Sequence, residues 1–181
     1  MSAPDLSGRV EEVARRLLAC TLSTDFGGMT SIHLTEVEAY GGTDDAASHA
    51  YNGRTPRNGS MFGPPGTLYV YRSYGIHWCA NIATGPEGEG QAVLLRGGKI
   101  IEGEVVVRRR RGRSDHLTDG PGKLTQALGI TGDHDGTSVL DGPIRLEPRD
   151  PAGPELITPT PRIGITKEID RPWRVVLGSI T

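Results

Sequence analysis

TSIHLTEVEAY, residues 30–40, alternates its side chains with the period of an extended strand. Ile32, Leu34, Glu36, Glu38 and Tyr40 fall on one side of the pleat, and His33, Thr35, Val37 and Ala39 on the other. An apolar face is therefore expected to run straight on into two carboxylates. A carboxylate on a partly buried face is costly to ionise unless it is partnered. Such groups persist when an arginine pairs with them or when they serve as acid or base. Arg96 closes the apolar run Ala92, Val93, Leu94, Leu95 and is the candidate partner, or a group that places a water. Two readings of the acids stand side by side: a Glu–Arg pair at a strand end, and a catalytic carboxylate.

Outward from this strand, Gly41 to Gly66 is rich in Gly, Pro, Asn and Asp and reads as a long loop, of the kind that is usually functional inside a compact domain. Further strands are expected at 67–72 and 76–83, joined tightly at Ser73-Tyr74-Gly75, and at 91–96, 144–146, 162–166 and 173–177. VEEVARRLL, 10–18, places Val10, Val13, Ala14, Leu17 and Leu18 on one helical face. In 99–113 the β-branched residues favour a strand and the arginine run a surface helix; a helix is the expectation. A short helix at 124–130 follows Gly120-Pro121-Gly122-Lys123, and Pro148 to Pro161 reads as a surface loop. Neither repeats nor a linker interrupt the chain. The fold class expected is α+β: one domain over residues 1–181, with a curved, mostly antiparallel β-sheet and a few packed helices.

Composition narrows the function classes. Among 181 residues there are 26 Gly and 13 Pro, which speaks against a helical bundle. Two cysteines cannot build a disulfide framework or a four-cysteine zinc site. No apolar run approaches the ~18 residues of a membrane span, and the N-terminus lacks an apolar signal core. A cytoplasmic protein without membrane contact is expected.

The charge is uneven. Residues 48–123 hold 11 Arg and Lys against 6 Asp and Glu, while the whole chain has a net charge of −2. A basic middle on an acidic background suits an anion-binding face, but charge alone favours the plainer reading of a solvated basic helix. Seven of the nine aromatic residues lie between Tyr40 and Trp78. They suit either a strand-rich centre or a stacking site for flat rings. Tyr74 stands at a hairpin tip, where Asn, Asp or Gly is usual. It is either folded back on its sheet or a wedge for opening a base stack. The five histidines show no metal-ligand spacing, and no metal or cofactor is expected. The GPGK segment could hold a phosphate at a helix N-terminus, and Arg54, Arg57 and Lys123 are further phosphate candidates; each is otherwise a cap or a surface charge.

TEVEAYGG (35–42), SHAYNGRTPRN (48–58), MFGPPGTLYVYRSYGIHWCANI (61–82), AVLLRGG (92–98) and DGPGKLTQALGI (119–130) together resemble the alkyladenine (3-methyladenine) DNA glycosylase family. The likeness runs from about Ala14 to Gly178. It implies a single α+β domain that bends duplex DNA, flips a damaged purine nucleotide and lets water cleave the N-glycosidic bond. Carried over position by position, Glu38 matches the general base and Arg96 the arginine that helps place the water. Tyr40, His49 and Tyr71 match residues that sandwich and hydrogen-bond the base. Asn81 matches the residue that crowds a guanine amino group, and Tyr74 the intercalating wedge. Arg54, Thr55, Ile76, His77 and Lys123 fall where relatives touch the DNA backbone. The partner implied is double-stranded DNA containing damaged purines, bound by a monomer.

The only lysines are Lys99, Lys123 and Lys167, none of them in the aromatic stretch of sequence. A hydrolase without strand-nicking activity is expected on that ground. The competing reading is a non-catalytic module that binds damaged DNA or RNA through the same aromatic, basic surface.

Overall fold

The central strand departs from simple alternation at one residue, and that departure shapes the molecule. The computed structural model describes residues 3–18, 20–149 and 155–179. In it Met29–Gly41 forms strand β2, after helix α1 (Val10–Leu17) and strand β1 (Cys20–Asp25). Strand β5 (Gln91–Glu102) pairs with β2 antiparallel along nearly its whole length. Leu34 faces Gly98, Glu36 faces Gly97 and Val37 faces Leu95, so Thr35 is an extra residue on β2 and Arg96 an extra residue on β5. Each bulge re-aims the side chains that follow it.

The expected single face is therefore split. Ile32 and Leu34 pack in the main core together with Val37 and Ala39, not with Glu36 and Glu38. Tyr40 instead packs against a second, smaller cluster of Ala50, Met61, Phe62, Tyr69 and Ala92. The bulge at Thr35 exchanges the two faces, and the apolar stripe stays in the core while the acids leave it. Pairing on the other edge changes at the same place. Strand β1 pairs with residues 29–33 of β2. Strand β8 (Arg174–Ser179) pairs with Glu36–Glu38.

The sheet runs β3 (Leu68–Ser73), β4 (His77–Thr84), β5, β2, β1, β6 (Ile144–Pro148), with β8 joined to β2 and to β7 (Glu155–Thr160). Every paired strand in it is antiparallel. With α1, α2 (Glu104–Arg111) and α3 (Pro121–Leu128) the architecture is α+β. Helix α1 buries Val10, Val13, Ala14 and Leu17, and its acidic first and basic last turns oppose the helix dipole favourably. Among the described residues no helix is long and apolar enough to cross a membrane.

Three expectations need correction, and one strand goes unread in the sequence. Residues 99–113 are neither all helix nor all strand: β5 runs to Glu102, Gly103 breaks it at φ 77°, and the helix ends at Gly112. The arginine run is largely tied down. Arg110 donates to the carbonyls of Ala127 and Phe26 at 2.8 and 2.7 Å, and Arg109 to that of Gly27 at 2.9 Å. Within the expected loop at 148–161 lies β7, an edge strand paired only with β8, where Pro159 is tolerated. Residues 162–166 form no strand, because Arg162 is buried in an ion pair and Gly164 takes φ 73°. Finally, β1 carries a weak signal, since Thr24 completes a buried face otherwise made by Cys20 and Leu22.

Candidate active site

A cavity of about 570 Å³ opens between β2, the β3–β4 hairpin, the 41–66 loop, the start of α3 and the segment 163–167. Glu38, Tyr40, His49, Tyr71, Tyr74, Asn81 and Arg96 all line it. Seven positions spread over about sixty residues of sequence thus meet in one place.

Glu38 lines this cavity with no solvent-exposed area on its side chain. Its Oε2 accepts from the Tyr40 hydroxyl at 2.9 Å, and its Oε1 from the Ile163 backbone N–H at 2.7 Å. Arg96 Nη1 stands 3.5 Å from the same Oε2. All three neighbours are donors, which suits an acceptor-only carboxylate. Burial, reinforced by the adjoining Glu38, pushes the Tyr40 hydroxyl far above the usual phenol range, so it remains a donor.

Glu36 does something different. Its Oε1 accepts from Arg96 Nε at 3.0 Å and from Arg174 Nε at 2.7 Å. Burial alone would raise its pKa, but Arg174 and Arg96 outweigh burial and hold the carboxyl below the ordinary value. The two acids therefore differ in setting: Glu36 pairs closely with two arginines, whereas Glu38, with one arginine farther off, lines the cavity.

The aromatic wall comes from β3 and the long loop. Tyr69 and Tyr71 stack with ring centres 5.5 Å apart, and the His49 ring stands edge-on to Tyr71 at 4.6 Å. His49 Nδ1 lies 3.1 Å from the Tyr69 hydroxyl. Loss of solvent on the pocket side, with Arg57 nearby, lowers the His49 pKa, favouring the neutral ring. Asn81 is buried and donates from Nδ2 to the Tyr69 carbonyl at 3.2 Å.

At the hairpin tip Tyr74 is 91% exposed, so it is not folded back on its sheet. Tyr74 and Gly75 both have positive φ, 50° and 68°. A left-handed tyrosine is uncommon, and strain of this kind clusters at functional sites. Ile76 beside it is exposed.

The other backbone-contact candidates lie outside the cavity lining. Arg54, Thr55 and His77 are exposed, and Lys123 Nζ pairs with Asp119 Oδ1 at 3.1 Å. A Cβ on Gly122 would meet His77 Cβ at 2.9 Å, so only glycine lets the start of α3 approach β4 this closely.

Several residues here have no strong sequence signal. Arg162 is buried and grips Asp45 with two bonds, 2.5 and 2.9 Å, while donating to the Ala39 carbonyl at 2.9 Å. Its guanidinium lies 4.7 Å from the Tyr40 ring centre and 5.3 Å from that of Trp173. Burial would raise the Asp45 pKa, but Arg162 and the Gly41 and Ala47 amides hold it low. This pair fixes the segment whose next residue supplies the Ile163 amide. Lys167 also lines the cavity, with Nζ 5.8 Å from the Tyr51 ring centre. Lys167 lies outside the aromatic stretch of sequence, and the fold brings it beside Tyr51 from a distant part of the chain. Among the described residues no group of three His, Cys, Asp or Glu is placed to hold a metal.

The chain matches the family model described as "Methylpurine-DNA glycosylase (MPG)" over residues 5–179. It is 51% identical to a Nocardia farcinica protein named "Putative 3-methyladenine DNA glycosylase", with 92% of this chain and 82% of the relative aligned. Proteins of the same name from Methanoculleus marisnigri and Cutibacterium acnes are 49% and 47% identical to it, covering 91% and 94% of this chain and 88% and 92% of theirs.

Proposed function

The chain belongs to the methylpurine-DNA glycosylase family, and from that premise we propose that it excises alkylated or deaminated purines from duplex DNA by hydrolysis. The observation that carries this reading is the fully buried Glu38 carboxylate in a cavity walled by Tyr40, Tyr71 and His49.

Glycosidic cleavage passes through a sugar with oxocarbenium character. Glu38 is the group that takes a proton from water and stabilises that positive charge. A general base of this kind contributes about 10²–10⁴-fold. Arg96 lies where it can hold the same water. The damaged nucleotide must leave the stack to reach this depth. Tyr74, exposed at its turn, fills the gap, and the purine stacks against the tyrosine wall. Stacking worth about 1–3 kcal/mol per base offsets the cost of extrusion. Alkylated purines that carry positive charge gain further from the electron-rich ring faces. Asn81 crowds an exocyclic amino group, and Arg54, Thr55, Ile76, His77 and Lys123 meet the DNA backbone around the flipped nucleotide.

The product is an abasic site, without strand cleavage. A lysine becomes a Schiff-base nucleophile when it is desolvated or set beside another cation. Lys167 is exposed, whereas Glu38 is fully enclosed. The enzyme acts as a monomer of one domain on DNA in the cytoplasm.

Duplexes carrying 3-methyladenine, 7-methylguanine, hypoxanthine or ethenoadenine, incubated with the protein and then treated with hot alkali, test this reading. Strand breaks at a lesion that appear only after alkali are expected. Binding of the lesion duplex with no alkali-labile site would replace the enzyme by a damage-binding module. Breaks without alkali, or borohydride trapping of the protein on DNA, would make Lys167 a lyase residue.

A further inference from the structure

The geometry points to Glu36, itself anchored by Arg174, as a positioning residue that holds Arg96 away from a closed ion pair with Glu38. The inference rests on the glycosylase reading above and concerns how basic and how accessible Glu38 is kept.

Arg96 is the extra residue at a bulge, so its side chain is turned toward both acids of β2. Its guanidinium does not divide itself evenly. Nε reaches Glu36 at 3.0 Å, whereas Nη1 stands off Glu38 at 3.5 Å. Arg174 makes its own 2.7 Å bond to that same Glu36 oxygen. Arg174 is in turn steadied by Thr160, whose Oγ1 accepts from Nη1 at 2.9 Å. The chain Thr160–Arg174–Glu36–Arg96 thus runs from β7 through β8 and β2 to β5, and ends beside the cavity.

A general base embraced by an arginine is a weaker base, because the charge that stabilises the carboxylate opposes its protonation. Glu36 competes for the guanidinium and draws it off. Arg96 keeps a hydrogen-bonding edge for the water, and Glu38 keeps an electron pair to use. The other groups facing Glu38 are accounted for: Tyr40 donates to it from the same strand, Tyr71 from β3 senses its charge, and the Ile163 amide is neutral. Arg162 stands behind the Tyr40 ring, and Cys79 from β4 senses Arg96. Arg174 stands opposite Glu38 across the β2–β8 pair and bonds Glu36.

The test is Glu36→Gln, measured by single-turnover base release from a lesion duplex across pH, with lesion binding measured in parallel. The amide oxygen can still accept a bond but carries no charge to compete for the guanidinium, so Arg96 shifts toward Glu38. The plateau rate is expected to fall about 10- to 100-fold, as for a misplaced catalytic group. The acid limb of the pH profile is expected to move to lower pH while lesion affinity stays within about twofold. Arg174→Gln leaves Glu36 Oε1 to Arg96 alone and removes a cation from across the strand pair, so the acid limb should move the other way, to higher pH; it carries the test should Glu36→Gln fail to fold. An unchanged plateau and acid limb would overturn the inference, as would a loss of rate matched by an equal loss of affinity. Absence of base release by the wild-type protein would instead overturn the glycosylase reading itself.

Discussion

The backbone amide of Ile163 donates to Glu38 Oε1 at 2.7 Å across 125 positions of sequence. The carboxylate is therefore oriented by main chain as well as by side chains. A main-chain donor cannot be removed by ordinary substitution, but it can be displaced if its segment shifts. What prevents that shift is the neighbouring Arg162, clamped on Asp45 and flanked by the rings of Tyr40 and Trp173.

Arg162→Met should accordingly cost roughly 3–5 kcal/mol of stability, the usual loss when one partner of a buried ion pair is removed. Asp45 would be left enclosed with only the Gly41 and Ala47 amides. Urea unfolding of Arg162→Met, Asp45→Asn and the double variant measures this. The double variant should lose clearly less than the two single losses combined. Additive losses would mean that the pair is not coupled.

Acid should weaken the fold through the same residues. Asp45 and Glu36 both have folded-state pKa values below their ordinary 3.8 and 4.5. The stabilisation from a depressed carboxyl is complete above its unfolded pKa and is lost as pH falls through the folded one. Stability from these two groups is thus constant above about pH 5 and declines progressively below about pH 4. Denaturant midpoints from pH 7 to pH 2 should follow that course, with a shallower acid decline in Asp45→Asn. An equally steep decline in the variant would assign the acid sensitivity to other groups.

How much of this was legible in the sequence depended on the range of the interaction. The motif strands are local, and residues 68–73, 77–84 and the start of β5 lie within a residue or so of where alternation puts them. Glu38, Tyr40, Tyr71, Asn81 and Arg96 are reached because paired strands carry them to one cavity. The two bulges were not legible, since an extra residue leaves the amino-acid pattern unchanged and alters only what it faces. For that reason Glu36 and Glu38 look alike in sequence and differ in the fold. Arg162, Ile163 and Lys167 come from beyond β7, and a sequence spacing of more than a hundred residues gives no hint that they meet Asp45, Glu38 and Tyr51.

Tyr74→Ser should separate DNA affinity from stability. The side chain is 91% exposed, so its removal should change stability by no more than about 0.5 kcal/mol. If the ring fills the stack vacated by a flipped nucleotide, losing it should weaken binding by about 5- to 150-fold, in line with ~1–3 kcal/mol of stacking. Equilibrium binding to a duplex containing an abasic analogue reads this directly. Unchanged affinity would remove Tyr74 from the wedge role.

Glu38→Gln bears on the chemistry itself. The amide keeps the shape of the carboxyl, and its oxygen can still accept from the Ile163 N–H. Its NH₂ would meet Arg96 and the Tyr40 hydroxyl; the hydroxyl can rotate to accept, while Arg96 loses its counter-charge there and turns wholly to Glu36. The pocket should thus stay open and folded, with lesion affinity close to wild type. An amide cannot take a proton from water, nor can it neutralise a developing oxocarbenium ion. Single-turnover base release should fall by at least the 10²–10⁴-fold ascribed to a general base, and the acid limb of the pH profile should vanish with it. Excision near the wild-type rate would show that water is activated by another group, and the assignment built on this buried acid would have to be abandoned.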